Sequence, residues 1–388
     1  MEGTRMRGKV VGLWLCAAAL AFAAATATEA QEEKEKRPLV QVALLLDTSN
    51  SMDGLINQAK TQLWKFVNEF ATAKKDGKAP EIYVALYEYG NDRLSKESKW
   101  IRRVLPLTDD LDMVSKELFA LRTCGGSEYC GAVIKHAVEN LDWSKSDGDL
   151  KVIFIAGNEP FTQGGVDYRK ACKAAIEKGI TVNTIFCGNH AEGVRTHWKD
   201  GATLADGMYM HIDQSKVVHI DAPQDKELAR LGRELNRTYV GYGAAGKLRK
   251  EEQTLQDENA ARAAPGVMAQ RAITKAQKGL YRNAGWDLVD AVAEGKARIE
   301  DLKDEDLPEE MRKMTVEERK AYIEKKRKER AELQKKINDL NEQRKKYVAQ
   351  KMKELSGKGE DTLDSAMIKA IREQAKKKQF RFEESAEK

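Results

Sequence analysis

The chain has 388 residues, 41% of them hydrophobic and 33% charged. That length leaves room for more than one domain, and the apolar fraction supports a core while part of the chain stays very polar. A formal net charge of +5 is small for this size and does not argue for a nucleic-acid partner.

Arg5, Arg7 and Lys9 precede an uncharged apolar run from Val10 to Ala24, and small residues follow. This is the pattern of a secretory signal peptide over residues 1–30, with Ala25-Thr26-Ala27 or Thr28-Glu29-Ala30 as the cleavage site. The run is shorter than the ~20 residues a membrane span prefers. Leu15 stands where lipidation of Cys16 wants a small residue. Residues 31–37 form a charged linker. The protein is therefore expected to be exported, either periplasmic or secreted, and looks bacterial. Export leaves Cys124, Cys130, Cys172 and Cys187, an even number that permits disulfides. We expect a Cys124–Cys130 disulfide closing a small loop, with Cys172 and Cys187 as a second candidate pair; four buried thiols are the alternative.

From residue 38 to about 245, strands and helices alternate. Val42 to Leu46 is an unbroken apolar run, as in a strand buried on both faces of a parallel sheet. Leu55 to Phe70 has apolar residues near helical spacing. Ile82 to Tyr89 reads as a strand, and Trp100 to Leu107 as a short strand near an edge. Helices follow at Leu111 to Leu121 and Ala132 to Leu141. Val152 to Ala156 is a second fully buried strand. Tyr168 to Lys178 is helical, Ile180 to Cys187 a strand, Tyr209 to Ile212 a short strand, and Asp225 to Leu235 a helix. This alternation predicts a doubly wound, mostly parallel sheet with helices on both faces.

The first strand stops at a carboxylate, and the sequence continues Asp47-Thr48-Ser49-Asn50-Ser51. D-x-S-x-S at the C-terminal end of a central strand lies where open α/β sheets place their ligands. One carboxylate and two hydroxyls are hard oxygen donors suited to Mg²⁺, Mn²⁺ or Ca²⁺. A strand followed by a Ser/Asn helix cap would need no metal. The stretch resembles the first motif of the von Willebrand factor type A domain, where D-x-S-x-S opens a metal-ion-dependent adhesion site. The family's second motif is a glycine-rich loop with a Thr; here Cys124-Gly125-Gly126-Ser127 corresponds, and Ser127 takes the Thr position. The third motif is an Asp ending the next buried strand. Gly157 stands there instead, and Asn158 and Glu159 are candidate substitute ligands. The resemblance covers residues 38–245. It implies a non-enzymatic binding protein whose ion, held by Asp47, Ser49, Ser51 and Ser127, is met by an acidic residue of a protein partner. Glu88 and Asp92 flank the same rim. The five histidines show no metal-ligand spacing, and neither a Ser-His-Asp arrangement nor a P-loop is present, so no enzymatic activity is expected.

Residues 246–388 read as a charged helical extension. Thr315-Val316-Glu317-Glu318 is a capping box. Leu333, Ile337, Leu340 and Tyr347 then form a narrow seam, interrupted by Arg344, in a helix running to Leu355. Over residues 315–355 this is either a coiled coil or a hairpin docked on a neighbour, with an isolated solvated helix as the alternative. A coiled coil would allow self-association and a scaffolding role in the envelope without any metal. The basic runs are solvated faces that could meet an anionic envelope surface.

Overall fold

The computed structural model describes residues 37–213, 220–355 and 363–382. The expected signal peptide and almost all of the charged linker lie outside the described residues. The strands are β1 (Leu39–Asp47), β2 (Ala73–Lys74), β3 (Glu81–Tyr89), β4 (Ile101–Thr108), β5 (Leu150–Gly157), β6 (Thr181–Cys187), β7 (Tyr209–Ile212) and β8 (Arg381–Phe382). The main sheet has the order β4-β3-β1-β5-β6-β7. Its strands run parallel except β4, which pairs antiparallel with β3 at the edge. β2 and β8 form a separate two-stranded ladder.

β1 is central because both of its edges are paired, to β3 and to β5. Helices also cover both of its faces, so it shows neither to water, which accounts for its unbroken apolar sequence. Successive side chains point to opposite faces, and they feed two separate cores. Val40, Val42, Leu44 and Leu46 join one core, with Leu55, Trp64 and Phe66 of α1 (Asp53–Glu69) and Leu111 and Leu118 of α2 (Leu111–Ala120). Ala43 and Leu45 join the other, with Val133 and Ile134 of α3 (Cys130–Asn140) and Ala171 and Cys172 of α4 (Tyr168–Glu177). Two short helices, α5 (His190–Arg195) and α6 (Trp198–Leu204), lie between β6 and β7; they are too short to leave a period in the sequence.

The helical region comprises α7 (Asp225–Asn236), α8 (Gly243–Ala263), α9 (Pro265–Ala276), α10 (Leu288–Ala293), α11 (Val316–Leu355) and α12 (Leu363–Lys377). Thr315 and Glu318 form the expected capping box at the start of α11, each backbone N–H donating to the other's side chain at 2.8 and 3.3 Å. Ile337 is fully buried against Leu228, Leu231 and Leu235 of α7 and Ile273 of α9, with Leu333 and Leu340 packed beside it. The seam of α11 thus docks on neighbours within the chain. Arg344 does not break it: its Nε donates to Asp225 at 2.6 Å, and both side chains are buried. Arg330, one further step along the same face, pairs with Asp287 at 2.7 Å and lies over the Tyr239 ring. No helix among the described residues is long and apolar enough to cross a membrane.

Candidate functional site

At the C-terminal end of β1 the chain turns sharply into a short 3-10 turn (Asn50–Met52) and then α1. Asp47 sits at that turn, fully buried. Its Oδ1 accepts the Ser49 backbone N–H at 2.8 Å. Its Oδ2 is buried without any hydrogen-bond partner. The Ser49 and Ser51 hydroxyls lie 3.4 Å apart. Asn158, just past β5, donates Nδ2 to the Ser51 hydroxyl at 3.2 Å, while its Oδ1 is a second buried oxygen without a partner. Two orphaned oxygens beside two hydroxyls make a donor set of hard oxygens, and burying such oxygens unpaired is costly.

The glycine-rich loop is clamped to this turn by backbone hydrogen bonds. Cys124 N donates to Thr48 O at 3.0 Å, and Asn50 N donates to Gly125 O at 2.9 Å. Gly125 has φ +57°, and a Cβ there would strike the Asp92 carboxylate. Ser127 is half-buried, and among the described residues no hydrogen bond links its hydroxyl to Asp47, Ser49 or Ser51. The next residue, Glu128, is 6% exposed and is the group that turns inward. Its side chain lies against Gly90 and Gly126, within reach of Asp47 and Ser49. The sequence carried one signal for it, an acidic residue one step past the expected hydroxyl.

The field at this rim is negative. Burial pushes the Asp47 carboxyl up to about 7; its hydrogen bonds with Ser49 offset part of that, and repulsion from Glu128 and Glu159 adds to it. Glu128 is likewise raised, first by burial and then by Glu159 and Asp92. Glu159 therefore shares the site's field. Glu88 does not serve the rim: its carboxylate takes Arg102 Nε at 2.5 Å and the Thr48 hydroxyl at 3.3 Å. Among the described residues, no three His, Cys, Asp or Glu side chains are grouped to hold a metal ion. A cation here would need the hydroxyl and amide oxygens as well.

Gly157 has a packing reason. A Cβ at that position would stand 2.6 Å from the Tyr89 hydroxyl and 2.9 Å from Asp47 Oδ2. Tyr89, fully buried and donating to Ala156 O at 3.0 Å, fills the space that a longer side chain would use.

The cysteine expectation is corrected. Cys124, Cys130, Cys172 and Cys187 are all free. Cys130 opens α3 inside the core, 3.8 Å from the Tyr89 hydroxyl, while half-buried Cys124 is held in the rim loop by backbone bonds. Cys172 faces the Gly201 carbonyl at 3.5 Å.

Residues 41–196 match the family model of the von Willebrand factor type A domain. No curated protein matches the chain. Among solved structures, the chain is similar to BatB, a conserved hypothetical protein from Bacteroides thetaiotaomicron, at 19% identity and a TM-score of 0.35, covering 45% of this chain and 90% of that one. It is similar to proximal thread matrix protein 1 from the mussel byssus, solved with a zinc-occupied MIDAS motif, at 13% identity and a TM-score of 0.35, covering 47% of this chain and 43% of that one. It is also similar to the pilus adhesin SpaC from Lactobacillus rhamnosus GG, at 14% identity and a TM-score of 0.34, covering 46% of this chain and 28% of that one.

Proposed function

We propose that this is an exported, non-enzymatic binding protein whose type A domain holds a divalent cation at its rim and presents it to an acidic residue of a protein partner. The observation that carries the reading is the pair of buried, unpartnered oxygens, Asp47 Oδ2 and Asn158 Oδ1, beside the Ser49 and Ser51 hydroxyls. Asp47, Ser49 and Ser51 would hold the ion, with Asn158 and Ser127 completing the oxygen set. Hard oxygen donors favour Mg²⁺, with Mn²⁺ or Ca²⁺ as substitutes. A bound ion would supply an electrophilic centre for a partner carboxylate. Glu128 and Glu159 add the negative charge that Gly157 lacks, and ligand charge count sets affinity. The scaffolding alternative is weaker, because the α11 seam is already buried against α7 and α9.

Calorimetric titration of the full chain with Mn²⁺ tests this. One site per chain is expected in the wild type and none in Asp47→Asn. Absence of binding to the folded wild type would sink the reading.

A further inference from the structure

The rim has a neighbour of opposite charge. An open cleft of about 910 Å³ runs between α1, the loop after α2, and the end of α8. Four cations line it: Lys60, Arg93, Arg122 and Arg262. Its one lining carboxylate, Asp53, is taken by the Thr123 hydroxyl at 2.5 Å. Among the described residues, no carboxylate lies within ion-pairing distance of Lys60, Arg93 or Arg122. Arg262 pairs with Glu258 at 3.2 Å, but both groups are more than half exposed, and such pairs hold little energy. Burial and then the Arg122 guanidinium pull the Lys60 ammonium below its ordinary pKa, and the Asp53 carboxylate offsets only part of that, as expected where cations outnumber the anion beside them.

The cleft and the rim share a wall. The 122–125 segment carries Arg122 and Thr123 into the cleft, while Cys124 and Gly125 are bonded to Thr48 and Asn50 of the rim turn. Asp53 in the cleft is two residues beyond Ser51. Phe119, half-buried, is the apolar ring the cleft presents; Ile56 and Leu121 form its floor but are each only 2% exposed. Four cations beside a half-buried Phe119 ring, on a wall shared with a rim read above as meeting a protein carboxylate, suit an acidic peptide carrying an apolar residue.

We infer that this cleft receives an acidic segment of the protein partner, whose neighbouring carboxylate reaches the rim. The inference rests on the rim reading above and extends it. It also gives the helical extension a role in recognition, because Arg262 belongs to α8.

The test uses the full chain and a fluorescein-labelled dodecapeptide of repeating Asp-Glu-Leu triplets, followed by anisotropy with and without Mg²⁺. Arg93→Glu combined with Arg262→Glu should weaken binding at least tenfold; neither side chain supports the backbone. Lys328→Glu, on the exposed face of α11, should leave it unchanged, and a peptide of Asn-Gln-Leu triplets should not bind. Asp47→Asn should remove the Mg²⁺-dependent part alone. Wild-type affinity in the cleft variant, with loss in Asp47→Asn, would overturn the cleft and spare the rim. Loss in the cleft variant, with no response to Mg²⁺ or Asp47→Asn, would support the cleft and overturn the rim. Failure of the wild type to bind the acidic peptide, or equal competition by an oligophosphate of the same charge, would overturn the cleft as a peptide site.

Discussion

Asp47 and Asp257 are both withdrawn from water, at 0% and 4% exposure, and their surroundings are opposite. Asp257 lies on α8 between Arg271 Nε at 2.6 Å and Lys275 Nζ at 2.8 Å, with Asn236 donating at 2.9 Å. Burial pushes its carboxyl up, but Lys275 and Arg271 outweigh that and hold it below the ordinary carboxylate range. Asp47 has one backbone N–H on Oδ1, nothing on Oδ2, and Glu128 and Glu159 for neighbours. The helical region satisfies its buried charges as the chain folds. Asp287 and Arg330, and Asp225 and Arg344, are matched in this way, and Arg271 also takes Asp112 of α2. The rim leaves Asp47 without an opposite charge, and the proposed cation site rests on that difference.

The contrast can be broken first where it is strongest. Asp257→Ala strands Lys275 and leaves Arg271 with Asp112 alone, and removing one member of a buried pair costs about 3–5 kcal/mol. Denaturant unfolding should show that loss; a change near zero would mean the network is solvated. Ile337→Ala opens a void in the α7–α9–α11 core and should cost about 2–4 kcal/mol. An unchanged melting curve would mean that α11 is not docked.

Smaller changes sharpen the rim side. Gly157→Asp restores a carboxylate in name, but its Cβ meets Tyr89 and Asp47. The variant should lose about 1–3 kcal/mol, the usual cost of overpacking. Wild-type stability with tighter Mn²⁺ binding would show that Tyr89 yields easily. Glu128→Gln keeps the shape and removes one charge; its Mn²⁺ affinity should fall by about tenfold, given how charge count tunes such sites. Unchanged affinity would remove Glu128 from the site's field.

The unbroken apolar runs at 42–46 and 152–156 identified the two central strands, because helices cover both faces of those strands. The position of Asp47, Ser49 and Ser51 at the rim was legible too, since a run that stops at a carboxylate marks the end of a buried strand. Glu128 and Tyr89 were not, since their parts depend on packing across elements far apart in sequence. Arg344 reads as an interruption of a seam, although it is buried on Asp225 of another helix; Arg330, on the same face, is likewise buried on Asp287. Arg271 and Lys275 carry the same lesson, as both are fully buried in a stretch whose composition looks solvated. Periodicity records which positions face inward only when those positions are apolar.

Thermal unfolding of the wild type and Asp47→Asn, each in EDTA and then in Mn²⁺, tests the central claim most directly. An ion that binds the folded state alone raises the melting temperature by mass action, while a buried unpaired charge lowers it. Asp47→Asn should therefore melt above the wild type in EDTA and ignore Mn²⁺, and the wild type should rise when Mn²⁺ is added. Wild-type melting that is indifferent to Mn²⁺, at or above the temperature of the variant, would contradict the account.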